Sequence, residues 1–375
     1  MKKAAILTFW KEENYGAILQ ACALQDVLRS LGVSAELIDF SPRHKKPPLP
    51  KKLLGLAWRG ARSFLGFRKR LLRTDAFRKR WIQASPMFND DGKLMAYLGT
   101  KDFCVVGSDQ VWNPQIVPAE NNIFLLEKLS DSVPKFSYAA SFGVSTLNDG
   151  EKAILRRCLR KFPAISVREK TGQKLLDEMG IPGAELVSDP TLLLTPDQWA
   201  DKAAALSGKF PYILCYIMPG KEENPAIYAL ARKLSSQKKI SDVVYLGDRE
   251  YKRFFRRGAD VSAGPAEFLS YFANAAYVIT NSFHGTCFSV NFRKNFISVV
   301  ENADPSRNRN SRIVDFLTPL GLEGQIFRFN GDISALNQAE IRFDVDYSKA
   351  GEILERQRNR SIAFLTRTLE TGISR

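Results

Sequence analysis

Tyr277-Val278-Ile279-Thr280-Asn281-Ser282-Phe283-His284-Gly285-Thr286-Cys287 reads as a strand that stops at Thr280, a polar turn, and a helix that begins near Gly285. A β-branched and aromatic run favours a strand, and the small and polar residues after it favour a turn. Strand, short turn and helix is the repeating unit of a parallel α/β sheet. The same rhythm extends outward in both directions. Tyr212–Ile217 and Val243–Leu246 precede the stretch, and Asn295–Val300 follows it. An earlier series comprises Ala4–Phe9, Ser34–Asp39, Phe103–Val106, Lys135–Ala139, Ala164–Val167 and Glu185–Val187. Between the series lies Thr195-Pro196-Asp197-Gln198-Trp199, a turn and helix start. The pattern predicts two doubly wound lobes, residues 1–200 and 201–345, followed by a charged amphipathic helix over 346–375. Ligands of such folds bind in a cleft at the carboxyl ends of the strands.

Composition narrows the class. The 375-residue chain is 45% apolar and 25% charged, ordinary for a globular protein. It has no run of eighteen apolar residues, and its N-terminal apolar stretch reads as a buried strand rather than a signal peptide; both point to the cytoplasm. Cys22, Cys104, Cys158, Cys215 and Cys287 are scattered and form no CxxC pair, which argues for buried thiols over disulfides or zinc. With His44 and His284 the only histidines, a histidine-built metal site is not expected. The net charge is +15, of which residues 43–80 supply +13 through fourteen Lys or Arg and the single acid Asp75. A near-neutral body with one basic segment implies a local anionic contact, not nucleic-acid binding.

Several strand ends carry groups suited to a site. Asn14-Tyr15-Gly16 opens the first helix, where free amides attract anions or hydroxyls, although a plain strand-to-helix turn would look the same. Gly107-Ser108-Asp109-Gln110-Val111-Trp112-Asn113 follows a buried strand. Asp109 and Asn113 suit sugar hydroxyls and Trp112 a sugar face, the alternative being a capping Ser-Asp. Arg168 ends another strand. It either grips a carboxylate or phosphate or forms a structural ion pair with Glu169 or Asp189. His284, at a strand–helix junction beside Gly285, is the sharpest catalytic candidate. Asn302–Arg312 is a polar loop, from which Arg312 is the arginine expected to face a phosphate; Arg307 and Arg309 read as surface.

In their order and spacing, Asn14-Tyr15-Gly16-Ala17, Gly107–Asn113, Ser166-Val167-Arg168-Glu169, Ser188-Asp189-Pro190-Thr191, Ser282–Thr286 and Arg312-Ile313 together resemble the polysaccharide pyruvyl transferase family. The resemblance implies a GT-B-like fold of two Rossmann-type lobes with a central cleft. It implies transfer of the pyruvyl group of phosphoenolpyruvate onto two hydroxyls of a hexose, often lipid-linked, to give a pyruvate ketal, as in capsule or exopolysaccharide biosynthesis. It places His284 as the catalytic residue, with Arg168, Ser282, Phe283, Gly285 and Arg312 on the donor side and Asn14, Tyr15, Gly16, Ser108, Asp109, Trp112 and Asn113 on the acceptor side. No cofactor or metal is required. Many members carry Asp where this chain has Asn281, and some carry Arg at Ser282, a lost cation for which Arg312 is the expected substitute.

Two other readings stand beside it. One is a GT-B glycosyltransferase using a nucleotide sugar, with Asp304 or Glu301 on the ribose; the other is a non-catalytic protein that binds anionic polysaccharide or lipid. Lys51–Arg73 sharpens the last point. At about 100° per residue its apolar residues, including Trp58, Phe64 and Phe67, share one arc, and Arg62, Lys69 and Arg70 lie on the opposite one. That is the pattern of a helix lying on an anionic inner-membrane surface, or of a helix packing its apolar face on the lobe.

Overall fold

The computed structural model describes residues 1–41, 61–206, 211–218, 221, 223–247, 260–301, 311–333, 336 and 340–371, without the side chains of 61–64 and 311. Contacts divide the chain into two compact units. The first comprises the described parts of Met1–Gly60, Arg78–Leu194 and Arg356–Arg375; the second comprises those of Ala61–Phe77 and Thr195–Glu355.

The first unit's elements begin with β1 (Lys2–Leu7), α1 (Tyr15–Ser30), β2 (Val33–Phe40), α2 (Ala61–Trp81, shared with the second unit), β3 (Ala84–Phe88), α3 (Asp91–Leu98) and β4 (Phe103–Val106). They continue with β5 (Lys135–Ser137), α4 (Asp149–Leu159), β6 (Ser166–Val167), α5 (Lys170–Glu178) and β7 (Glu185–Leu186). The main sheet runs β3-β2-β1-β4-β5, all parallel, and β6 pairs with β7. Central strands of such a sheet are covered on both faces, which is why β4 is a continuous buried apolar run. β3 is absent from the sequence reading: it is an edge strand with Pro86 and exposed Met87, only Ser85 is buried, and so no apolar alternation marks it.

The second unit repeats the plan with α6 (Pro196–Ala200), β8 (Ile213–Tyr216), α7 (Asn224–Lys238), β9 (Val243–Leu246), α8 (Pro265–Asn274) and β10 (Tyr277–Thr280). After these come α9 (Phe283–Asn291), β11 (Asn295–Glu301), α10 (Ser311–Leu317), β12 (Ile326–Phe329) and α11 (Ser348–Thr371, shared with the first unit). Its sheet runs β12-β11-β10-β8-β9, again all parallel. β8 and β10 are therefore neighbours, and the loops leaving their carboxyl ends stand side by side. α11 buries Ala350, Leu354, Phe364, Leu365 and Leu369. Among the described residues no helix is long and apolar enough to cross a membrane. All five cysteines are buried thiols.

α2 corrects the helical-wheel reading of the basic segment. Arg73 Nε pairs with Glu267 (3.0 Å), and Nη1 donates to the Ser262 carbonyl (2.9 Å) and hydroxyl (3.1 Å). Phe67 and Arg70 are half-buried, so neither belongs wholly to an exposed face. Trp58 and the side chains of Arg62 and Phe64 lie outside the described residues.

Candidate active site

In the second unit the turn after β10 is held from both sides. The Thr280 hydroxyl donates to the Tyr216 carbonyl (2.7 Å) and accepts the Ser282 amide (3.1 Å). Asn281 ties this turn to the loop after β8: its Oδ1 accepts the Met218 amide (2.8 Å), while Nδ2 donates to Asn224 Oδ1 (2.8 Å) and Glu223 Oε1 (3.3 Å). An aspartate has no donor for those two oxygens, so the amide at 281 is matched to its pocket.

Ser282 is the N-cap of α9, its Oγ accepting the Gly285 amide (3.3 Å). The helix therefore begins at Phe283, earlier than its composition suggests, and His284 is its second residue. A Cβ at Gly285 would run into the Thr280 hydroxyl and the Tyr216 ring, so glycine lets the helix settle onto the sheet. His284 is 6% exposed, its ring edge-on to that of Phe283 (5.5 Å between centroids). Phe283 packs against Phe316 (6.2 Å), and the Arg312 guanidinium lies 5.6 Å from its ring centroid. Ser282, Phe283, His284, Gly285 and Arg312 thus form one cluster. Its helix N-terminus and its arginine both favour an anion. Arg307, Arg309 and Asp304 lie outside the described residues.

The sequence reading passed over Glu223, which is 1% exposed; one carboxylate oxygen faces Asn281 and the other meets no donor among the described residues. The signal was the Glu-Asn-Pro helix start at residues 223–225.

The carboxyl edge of the first unit is built differently. The Arg168 side chain is fully buried and enclosed by carboxylates: Nη1 to Asp189 Oδ2 (2.7 Å), Nη2 to Asp109 Oδ1 (3.3 Å) and Nε to Glu169 Oε2 (3.7 Å). Burial opposes its charge, but Asp189, Asp109 and Glu169 outweigh that and hold the guanidinium above its usual range. Ser108 Oγ donates to Asp189 Oδ2 (2.9 Å). Arg168 and Ser108 are thus committed inside the protein. The ion pair with Glu169 and Asp189, named from the sequence as the alternative to a donor clamp, is present at Arg168.

Other residues expected on the acceptor side are also engaged within the protein. Trp112 is wholly buried between Phe142 (5.4 Å) and Phe162 (6.3 Å) and offers no face to a sugar. Asn113, 2% exposed, spends its amide on Gln110 Oε1 (2.7 Å) and its oxygen on the Gln115 amide (2.9 Å). Tyr15 and Gly16 are buried in the first turn of α1, and Asn14 caps it through Oδ1 to Gly16 N (2.9 Å) and Ala17 N (3.4 Å).

Asp109 keeps part of its side chain at the surface and adopts φ +72°, a left-handed conformation uncommon outside glycine. Glu12, in the β1–α1 loop, escaped the sequence reading. Its residue is exposed by area, but crowding by protein atoms comes first, and the charge of Asp109 adds to it, in raising its carboxyl above the ordinary value.

No curated relative matches the chain. Among solved structures, it is similar in fold to the UDP-GlcNAc 2-epimerase of Methanocaldococcus jannaschii (TM-score 0.53, 11% identity, 95% of this chain and 99% of that one). It is likewise similar to a putative UDP-N-acetylglucosamine 2-epimerase of Listeria monocytogenes (TM-score 0.53, 9% identity, 97% and 90%). At such identities the likeness speaks for the GT-B-like fold alone. The family model for polysaccharide pyruvyl transferase matches residues 14–303, a span that holds both parallel-sheet edges and the His284 turn. The chain belongs to the polysaccharide pyruvyl transferase family and is a transferase of that family.

Proposed function

We propose that this chain transfers the pyruvyl group of phosphoenolpyruvate to two hydroxyls of a hexose in a lipid-linked surface-polysaccharide repeat unit, with His284 as acid and base. The observation that carries this reading is the His284 cluster: an imidazole on the first turn of α9, beside amides of a helix N-terminus, with Arg312 over the adjoining Phe283 ring.

Phosphoenolpyruvate carries a carboxylate and a phosphate, so its site needs positive potential. Arg312 and the α9 amides supply it, and Arg312 takes the place of the cation that other members carry at 282. The imidazolium of His284 gives a proton to the terminal methylene, which leaves C2 electrophilic. One sugar hydroxyl adds to C2 and loses its proton to the imidazole. A second hydroxyl then displaces phosphate, and its proton leaves with that group or through solvent. Two hydroxyl protons are lost; one is gained by the methyl group and one by phosphate. Imidazole is a group able both to give and to take a proton, as the two transfers require. No cofactor enters this scheme.

The test is to incubate the protein with phosphoenolpyruvate or with nucleotide sugars, together with hexose acceptors. Release of inorganic phosphate that depends on acceptor, with a new ketal methyl signal, supports the reading. Release of nucleoside diphosphate instead would move the assignment to glycosyl transfer. No turnover with either donor would favour a binding protein.

A further inference from the structure

We propose that the outward face of α2 is a docking surface for an anionic lipid bilayer. An ordinary surface helix turns its apolar arc to the protein and its charges to water. α2 departs from that along 65–77, where three leucines stay outside among charges and an arginine turns inward. Arg73 is drawn inward by Glu267 and Ser262, and Thr74 and Phe77 are each 4% exposed. A Cβ at Gly66 would strike Val261, and one at Gly264 would strike Arg73, so the inward side is closely packed. Left outside are Leu65 (58% exposed), Leu71 (39%) and Leu72 (62%), flanked by exposed Arg68 and Lys69.

Leucines interleaved with cations suit the boundary between headgroups and acyl chains, where apolar side chains enter and cations meet phosphate. Charge selects this occupant over a second copy of the chain. Arg68, Lys69, Lys79 and Arg80 are exposed on α2, whose one acid is Asp75, so two copies packed through this helix would set positive charge against itself. The inference adds a location to the proposed lipid-linked acceptor and rests on that reading only for its purpose. The surface itself is argued from packing and charge.

Co-sedimentation of the full chain with phosphatidylcholine vesicles, with and without about a third of phosphatidylglycerol, tests it. Binding is expected to the anionic vesicles only and to fall with added salt. Leu65→Ser/Leu72→Ser should lower partitioning about tenfold. Arg68→Glu/Lys69→Glu should lower it by about fivefold or more for each cation lost. Met87→Ser, which removes an exposed apolar side chain (64%) from β3, should leave it unchanged. None of these variants touches the His284 cluster, so turnover of phosphoenolpyruvate with a water-soluble acceptor should stay at the wild-type rate. Failure of vesicle binding and failure of the proposed activity are thereby read separately. Equal pelleting with neutral and anionic vesicles, no pelleting with either, or unaltered binding by both double variants would overturn the proposal. So would a concentration-dependent dimer abolished by Leu65→Ser/Leu72→Ser.

Discussion

Arg168→Ala is expected to act on the stability of the first unit before it acts on any ligand. The Arg168 side chain is wholly buried and faces Asp189, with no exposure, Glu169 at 2% and Asp109 at 14%. Its removal leaves two sealed carboxylates without their cation. Breaking a buried pair in this way costs about 3–5 kcal/mol, most of it the penalty of uncompensated charge. For a unit of this size each kcal/mol lowers the melting temperature by about 2–4 °C, so the loss should be roughly 6–20 °C. Arg168→Lys should recover only part of it, because three guanidinium nitrogens serve three different carboxylates and an ammonium has one nitrogen. The effects of Arg168→Ala and Asp189→Ala should fall short of additivity by about 0.5–3 kcal/mol. Scanning calorimetry or far-ultraviolet melting measures all three. A variant that melts within about 1 °C of wild type, yet shows a raised KM for its donor, would refute the buried-network reasoning and return Arg168 to ligand binding.

Other expectations follow from the turn after β10 and its neighbours. Asn281→Asp removes the donor shared by Asn224 and Glu223 and sets a carboxylate against one already buried; a cost of about 1–3 kcal/mol is expected in urea unfolding, with reduced turnover. Gly285→Ala must push α9 away from Thr280 and Tyr216, so kcat should fall more than stability, read by comparing turnover with melting temperature in one preparation.

The second unit's edge was legible because its code is local. An apolar run, Asn-Ser, and a glycine before a second apolar run place the strand, the turn and the helix with little help from elsewhere, the helix start falling two residues early. What misled the sequence reading depends on which way a side chain turns. Trp112 has the composition of a sugar platform, but its amide donates to the Ser141 carbonyl (3.2 Å) and its ring enters the core between Phe142 and Phe162. Arg168 could be paired with Asp189 or Glu169 from sequence alone, yet its full enclosure depends on Asp109 and Ser108, about sixty residues away. The wheel of 51–73 said nothing of which side the protein covers; in α2, Glu267 and Ser262, far along the chain, draw Arg73 inward. β3 had no apolar alternation to read.

The central claim rests on His284, and one comparison tests it most directly. Wild type and His284→Ala, matched for melting temperature, are given phosphoenolpyruvate and a hexose acceptor, and phosphate release is followed alongside the ketal methyl resonance. The account predicts acceptor-dependent turnover by wild type and a loss of about 10²–10⁴-fold in the variant, the usual contribution of a general acid and base. A folded His284→Ala protein that keeps more than about a tenth of the wild-type rate would contradict it.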